Sequence, residues 1–172
     1  MPDILKKWYV IKTKNNSEKK VAERLNNAGF ICYLPLFTSI RIWSDRKKKI
    51  KLPLIPTVVF VNTYEDKLNN VYNIPGVIGI LKYLNKPAIV NDYEINNLKI
   101  FLDQNIAFET DNLNLIDKGQ FVEVIQGPFK GIIGCATKQS RNYKIRIEVK
   151  SVNYGFLIEI PASFVRVISD EK

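Results

Sequence analysis

The side chains best equipped for chemistry in this sequence are cations. Arg46, Lys47, Lys48, Lys49 and Lys51 form a run broken only by Ile50, and Lys14, Lys20 and Arg24 recur along one helical face. Clustered ammonium and guanidinium groups neutralise phosphates and release their counterions, so a polyanion such as nucleic acid is the partner they fit. A solvated turn kept for solubility is the competing explanation. The excess is also uneven. Residues 1–102 carry 17 Lys+Arg against 8 Asp+Glu, while residues 103–172 carry 9 of each, so the whole net charge of +9 lies in the first part.

Catalytic chemistry finds little to work with. The chain has no histidine, which removes the commonest general base and the commonest zinc ligand. Its carboxylates are scattered, and no glycine-rich phosphate loop occurs. Cys32 and Cys135 lie far apart in apolar runs and read as buried free thiols, not as a disulfide or a metal site. The expectation is a non-enzymatic protein without cofactor or metal. Neither a signal peptide nor a stretch of about 18 apolar residues is found, which points to a cytoplasmic protein with no membrane partner.

Something must hold the cations in place, and the most strongly apolar stretch, residues 52–62 (LPLIPTVVFVN), is the natural centre. It reads as a buried strand introduced by Pro53 and Pro56, with residues 57–61 paired. Thr57, Val59 and Val61 fall on one face and Val58 and Phe60 on the other, so both faces are apolar. Residues 8–11 make a first strand of the same kind. Between them, Asn15 to Ser17 caps a helix whose Val21, Ala22, Leu25 and Ala28 share a face, and Gly29 ends it. An extended segment over residues 30–43 then turns at Ser44 and Asp45 into the basic run, making a hairpin with a basic tip.

Leu68, Val71 and Tyr72 imply a short second helix before Pro75-Gly76, and residues 77–84 a fourth strand. Asn91 and Glu94 resemble a capping box for a further helix with Ile95, Leu98 and Leu102 on its apolar stripe. The order β-α-β-β-α-β predicts a ferredoxin-like domain over residues 1–104. Both main helices cover one face of its sheet. The other face, formed by Trp8 and Val10 beside Val58 and Phe60 or by the opposite parity, is left as an apolar patch unless the further helix or a second module covers it. Residues 105–116 read as a linker. Residues 117–172 change grammar: short strands at 121–125, 132–136, 143–149 and 156–160, separated by Gly and Pro turns, predict a small SH3-like β-barrel. The fold class is thus α+β.

Taken together, these residues resemble a known family. The Trp8-Tyr9 start, the proline-led run from Leu54 to Val61, the Ile74-Pro75-Gly76-Val77 turn and Lys86-Pro87-Ala88-Ile89-Val90 are similar to the N-terminal domain of NusG-type transcription elongation factors. Gly119, Gly127, Pro128, Phe129 and Gly131 resemble the KOW motif of their C-terminal barrel. The likeness spans nearly the whole chain, and its details resemble specialised paralogues of the RfaH and UpxY type. It implies a bacterial elongation and antitermination factor that docks on the clamp helices of the largest RNA polymerase subunit and suppresses pausing, while the KOW barrel recruits a ribosomal protein or a termination factor.

Carried onto this chain, the resemblance makes Trp8, Val10, Ile55, Pro56, Val58 and Phe60 the polymerase-binding face. It also sets Lys14, Lys20, Arg24, Arg46, Lys47, Lys48, Lys49 and Lys51 against the DNA of the transcription complex. Relatives often carry an aromatic at positions 12 and 58, Gly or Asn at Thr57, and Phe at Ile55. A barrel that is all-β in the free protein is expected here, unlike the helical state of the RfaH type. A ribosome-associated or RNA-binding KOW protein is the alternative.

Overall fold

The structure, a computed structural model, describes residues 5–42, 47–104, 119–139 and 141–168, without the side chains of residues 40–42, 47–48 and 137–139. It is a mixed α/β chain of two compact units, Met1–Asn91 and Asp92–Lys172. The expected linker over residues 105–116 lies outside the described residues.

In the first unit β1 (Lys7–Thr13), α1 (Glu18–Asn27) and β2 (Ile31–Tyr33) are followed by β3 (Leu36–Ile42) and β4 (Lys47–Pro53). Then come β5 (Val58–Thr63), a single helical turn α2 (Glu65–Leu68) continued by a 3₁₀ turn over Asn69–Asn73, and β6 (Val77–Ile80). The miniature hairpin β7 (Lys82–Tyr83) and β8 (Lys86–Pro87) and the short β9 (Ile89–Val90) complete it. The main sheet runs β2-β5-β1-β6, with β9 also pairing β1. β1 and β5 form its central antiparallel pair, with Val10 opposite Phe60 and Ile11 opposite Val59.

One face of this sheet is a core in which Tyr9, Ile11, Val59, Val61 and Ile80 meet Val21, Ala22 and Leu25 of α1 and Leu68 and Val71 of the second helical segment. Both segments therefore lie on one side, as their apolar spacing requires. The stripe of α1 is shorter than expected, because Ala28 forms the C-cap and is exposed. Gly29, at φ 85°, takes the left-handed turn that ends the helix. Tyr72 also points to water, because a 3₁₀ turn advances about 120° per residue and rotates it off the face set by Leu68 and Val71.

Three local expectations are corrected. Thr57 does not join the strand. Its φ is 61°, its N–H donates to Glu18 Oε1 at 2.8 Å, and its carbonyl accepts from Thr13 N at 2.9 Å. The segment over residues 30–43 is not one strand, because Pro35 cannot donate to a ladder. β2 stays in the main sheet, whereas β3 pairs only with β4 in a separate ribbon, from Leu36 opposite Pro53 to Ile42 opposite Lys47. The fourth strand likewise stops at Ile80, and the chain leaves the sheet as the β7–β8 hairpin, whose Leu84 and Asn85 both have positive φ.

The second unit opens with α3 (Asp92–Asp103) and continues with β10 (Gln120–Val124), β11 (Ile133–Gln139), β12 (Asn142–Val149), β13 (Tyr154–Pro161) and β14 (Val165–Val167). All pairings are antiparallel, in the order β13-β12-β11-β10-β14. Among the described residues this is an open path, not a closed barrel. β13 ends at Pro161 and a 3₁₀ turn, Ala162–Phe164, carries the chain to the far edge beside β10. Along β12, Tyr143, Ile145, Ile147 and Val149 are buried, which is the alternation read from the sequence.

α3 seats itself on this sheet through buried polar groups as well as apolar ones. Asn97 accepts from Ile133 N at 3.0 Å and donates to the Ile133 carbonyl, and Glu94 Oε1 accepts from Lys150 N at 3.1 Å. Phe101 packs on Phe156 with ring centroids 3.9 Å apart, and Tyr93 meets Phe121 edge-on at 6.1 Å. The boundary between the two compact units falls before α3, whose polar groups pair with backbone of β11 and the Lys150 turn.

Candidate docking face and nucleic-acid interface

Register settles which side chains share the sheet face opposite α1. Trp8 stands across from Asn62, Val10 from Phe60 and Lys12 from Val58, while Tyr33 of β2 stands across from Phe60. Trp8, Val10, Val58 and Phe60 therefore line one face. Tyr9 and Val59, the opposite parity, lie against the helices. The expected open patch is not found, however. Val10 and Phe60 are fully buried, Val58 is 6% and Trp8 9% exposed, and Ile55 just ahead of the strand is 5% exposed. Tyr33 stacks on Phe60 with centroids 6.4 Å apart. An apolar face of this size in water costs about 25 cal/mol per Å², and the free chain avoids that cost by covering it. Of the six candidate docking residues Pro56 alone is exposed, and Lys12 carries a charge to the end of the same row.

The candidate cations divide by their partners. Lys14, Lys20, Lys49 and Lys51 are exposed. Lys19, on the same helix as Lys20, donates to the Lys51 carbonyl and ties α1 to the base of the β3–β4 ribbon, so the helical and hairpin cations form one surface. Arg24 does a structural task as well. Its Nη1 donates to the Pro75 carbonyl at 2.6 Å, beside Gly76, whose φ of 99° and 2.8 Å clearance between an added Cβ and Val21 Cγ2 admit no larger residue. Arg46 and the side chains of Lys47 and Lys48 lie outside the described residues.

The glycines of the candidate KOW motif have two distinct uses. Gly127 and Gly131 take φ 83° and 92° in the turn between β10 and β11, where Lys130 N donates to the Gly127 carbonyl and Gly131 N to that of Val124. Gly119 is needed for close approach, since a Cβ there would lie 2.5 Å from the Ala136 carbonyl oxygen. Phe129 stacks on Phe101 of α3 at 6.3 Å, and Pro128 is exposed.

Cys32 and Cys135 are free and half-buried. Burial pushes the Cys32 thiol up, only partly offset by a hydrogen bond with Asn26, and its Sγ lies 3.2 Å from the Ala22 carbonyl it donates to. It is a packing group. Among the described residues no cluster of His, Cys, Asp or Glu able to hold a metal occurs, and no helix is long and apolar enough to cross a membrane.

Two features escaped the sequence. Tyr83 and Leu84, 74% and 80% exposed, cap the β7–β8 hairpin, which read as the end of a plain strand. A cavity near Tyr64 gathers residues 6, 28–31, 62–64, 67, 70, 73 and 74. Nothing in their sequence spacing reveals that cavity, because it forms only where four separate segments converge. At the hairpin tip Asn85 tolerates a positive φ, but Leu84 at φ 48° gives no such sign in sequence.

Comparison with known proteins gives this arrangement its context. Residues 6–99 match the family model described as transcription termination factor NusG. The chain is 27% identical to the transcription termination/antitermination protein NusG of Rickettsia bellii, covering 94% of this chain and 89% of that protein. Against the Rickettsia felis protein of the same name it is 26% identical, over 95% and 90%. A structure of Thermotoga maritima NusG describing a domain interaction is 24% identical, covers 95% of this chain and 98% of its own, and has a TM-score of 0.44. With a family match spanning more than half of its residues, this chain belongs to the NusG family of transcription termination and antitermination factors.

Proposed function

We propose that the protein is a non-enzymatic, cytoplasmic elongation and antitermination factor that binds RNA polymerase through the unit containing β1 and β5. The observation that carries this is the family match over residues 6–99, which spans that unit. In this reading the first unit is a ferredoxin-like module and the second a KOW-type, SH3-like barrel. Residues 105–116 join them. α3 belongs to the first by family match and packs with the second. The docking face is Trp8, Val10, Ile55, Pro56, Val58 and Phe60, set on the clamp helices of the largest subunit. In this reading the side chains of that face that are buried in the free chain become accessible on docking. The surface joined by the Lys19–Lys51 hydrogen bond lies against DNA, and the second unit recruits a ribosomal protein or a termination factor.

A photo-reactive residue at exposed position 56 of the full chain tests the docking. Crosslinks to the largest polymerase subunit are expected. Crosslinks to ribosomal proteins at high salt favour a ribosome-associated or RNA-binding factor instead. Replacing Lys47, Lys48 and Lys49 with Ser is expected to flatten the salt dependence of binding to DNA-loaded polymerase by about 0.9 log units per lost phosphate contact. An unchanged slope reduces the ribbon tip to a solvated turn.

A further inference from the structure

The cavity beside Tyr64 contains none of the six candidate docking residues, and its charged lining is chemically one-sided. It is a half-open depression of about 590 Å³, within the range of small-ligand pockets. Lys6 and Lys67 line it and no carboxylate does. Their ammonium groups sit 5.4 Å and 5.8 Å from the centroid of the one Tyr64 ring. Each gains from the π electrons of the ring, and both line the space in which an anion would find them.

The rest of the lining asks for more than an anion. Asn62, Asn70 and Asn73 also line it, and an asparagine side chain carries both donors and an acceptor. Phe30 and Ile31 supply an apolar wall, and Ile31 is 53% exposed. Cations for phosphate, amides for the edge of a base and a flat apolar surface for its face are the three needs of a nucleotide.

We propose that this cavity binds a nucleotide, its phosphate held by Lys6 and Lys67 and its base lying against Tyr64 and Phe30 within reach of the asparagine amides. The nucleotide is either free or one unit of a single strand, since both present the same groups. Neither the docking face nor the basic ribbon is needed for this, so the site and the polymerase-binding reading fail independently.

Titration of the full-length protein with ADP and with hexa-adenylate tests it. Saturable binding of at least one is expected. Binding of ADP identifies a free-nucleotide site, and binding of hexa-adenylate alone a strand site. The double variant Lys6→Gln, Lys67→Gln changes two exposed side chains and leaves the fold intact by circular dichroism. It is expected to weaken binding at least tenfold and to lower the salt slope for hexa-adenylate by about 1.4, from about 0.7 per phosphate on a single strand. Tyr64→Leu is expected to weaken binding about tenfold through lost stacking. Polymerase association is expected to survive all three changes. Three results overturn the proposal: no binding of either probe, binding indifferent to the double variant, or displacement by inorganic phosphate or polyglutamate as effective as by ADP.

Discussion

In β5 of the first sheet every residue from Val58 to Val61 is buried, whereas in β12 of the second, buried and half-buried positions alternate from Tyr143 to Val149. The two strands are of similar length and both run inside five-stranded antiparallel sheets. Their patterns differ because β5 has cover on both faces and β12 on one. An all-apolar run demands that second cover without naming it. An alternating run demands less, and its outward Lys144, Arg146 and Glu148 stay half-buried, with Arg146 and Glu148 paired at 2.7 Å.

Truncations of either parity break this comparison most directly. Phe60→Ala is expected to cost about 3–5 kcal/mol and Val59→Ala about 2 kcal/mol, because each opens a cavity on its own face. In β12 only one parity is expected to matter: Ile145→Ala about 2–5 kcal/mol, Lys144→Ala under about 0.5 kcal/mol. Urea unfolding of the four variants measures this. A near-silent Phe60→Ala would mean that the face opposite α1 is open in solution, and lost polymerase binding by that variant would then report docking directly.

How α3 covers its sheet gives a smaller effect. Asn97→Ala strands the N–H and carbonyl of Ile133, and is expected to cost about 2–3 kcal/mol, with faster hydrogen exchange at the Ile133 amide. A fragment over residues 92–172 should therefore outlast one over residues 117–172 in denaturant. Equal stabilities would return α3 to the first unit.

The smallest effect concerns the turn before β5. Thr57 holds a β-branched side chain at φ 61°, so Thr57→Gly is expected to stabilise the fold by about 1 kcal/mol, the strain relieved less the entropy of a glycine. Glu18 still receives the N–H of residue 57 in that variant, and a rise in melting temperature is the readout. No change would show that the backbone entropy of the glycine cancels the strain relieved.

Much of this molecule is written in local pattern. The apolar runs at residues 8–11 and 58–61 dictate a central strand pair, the period of Val21, Ala22 and Leu25 dictates a helix on its face, and the alternation in β12 dictates a half-buried strand. Each needs only the pitch of its own element. The positive φ at Thr57 was not written there, because a β-branched residue next to an apolar run reads as strand. Other features depend on partners distant in sequence. Nothing near Asn97 states that its amide will bracket Ile133, and nothing in Lys6 or Lys67 states that each will lie over Tyr64. An apolar stripe specifies that a helix must be buried, but it is the placement of polar partners, a property of the assembled chain, that decided which sheet buried α3.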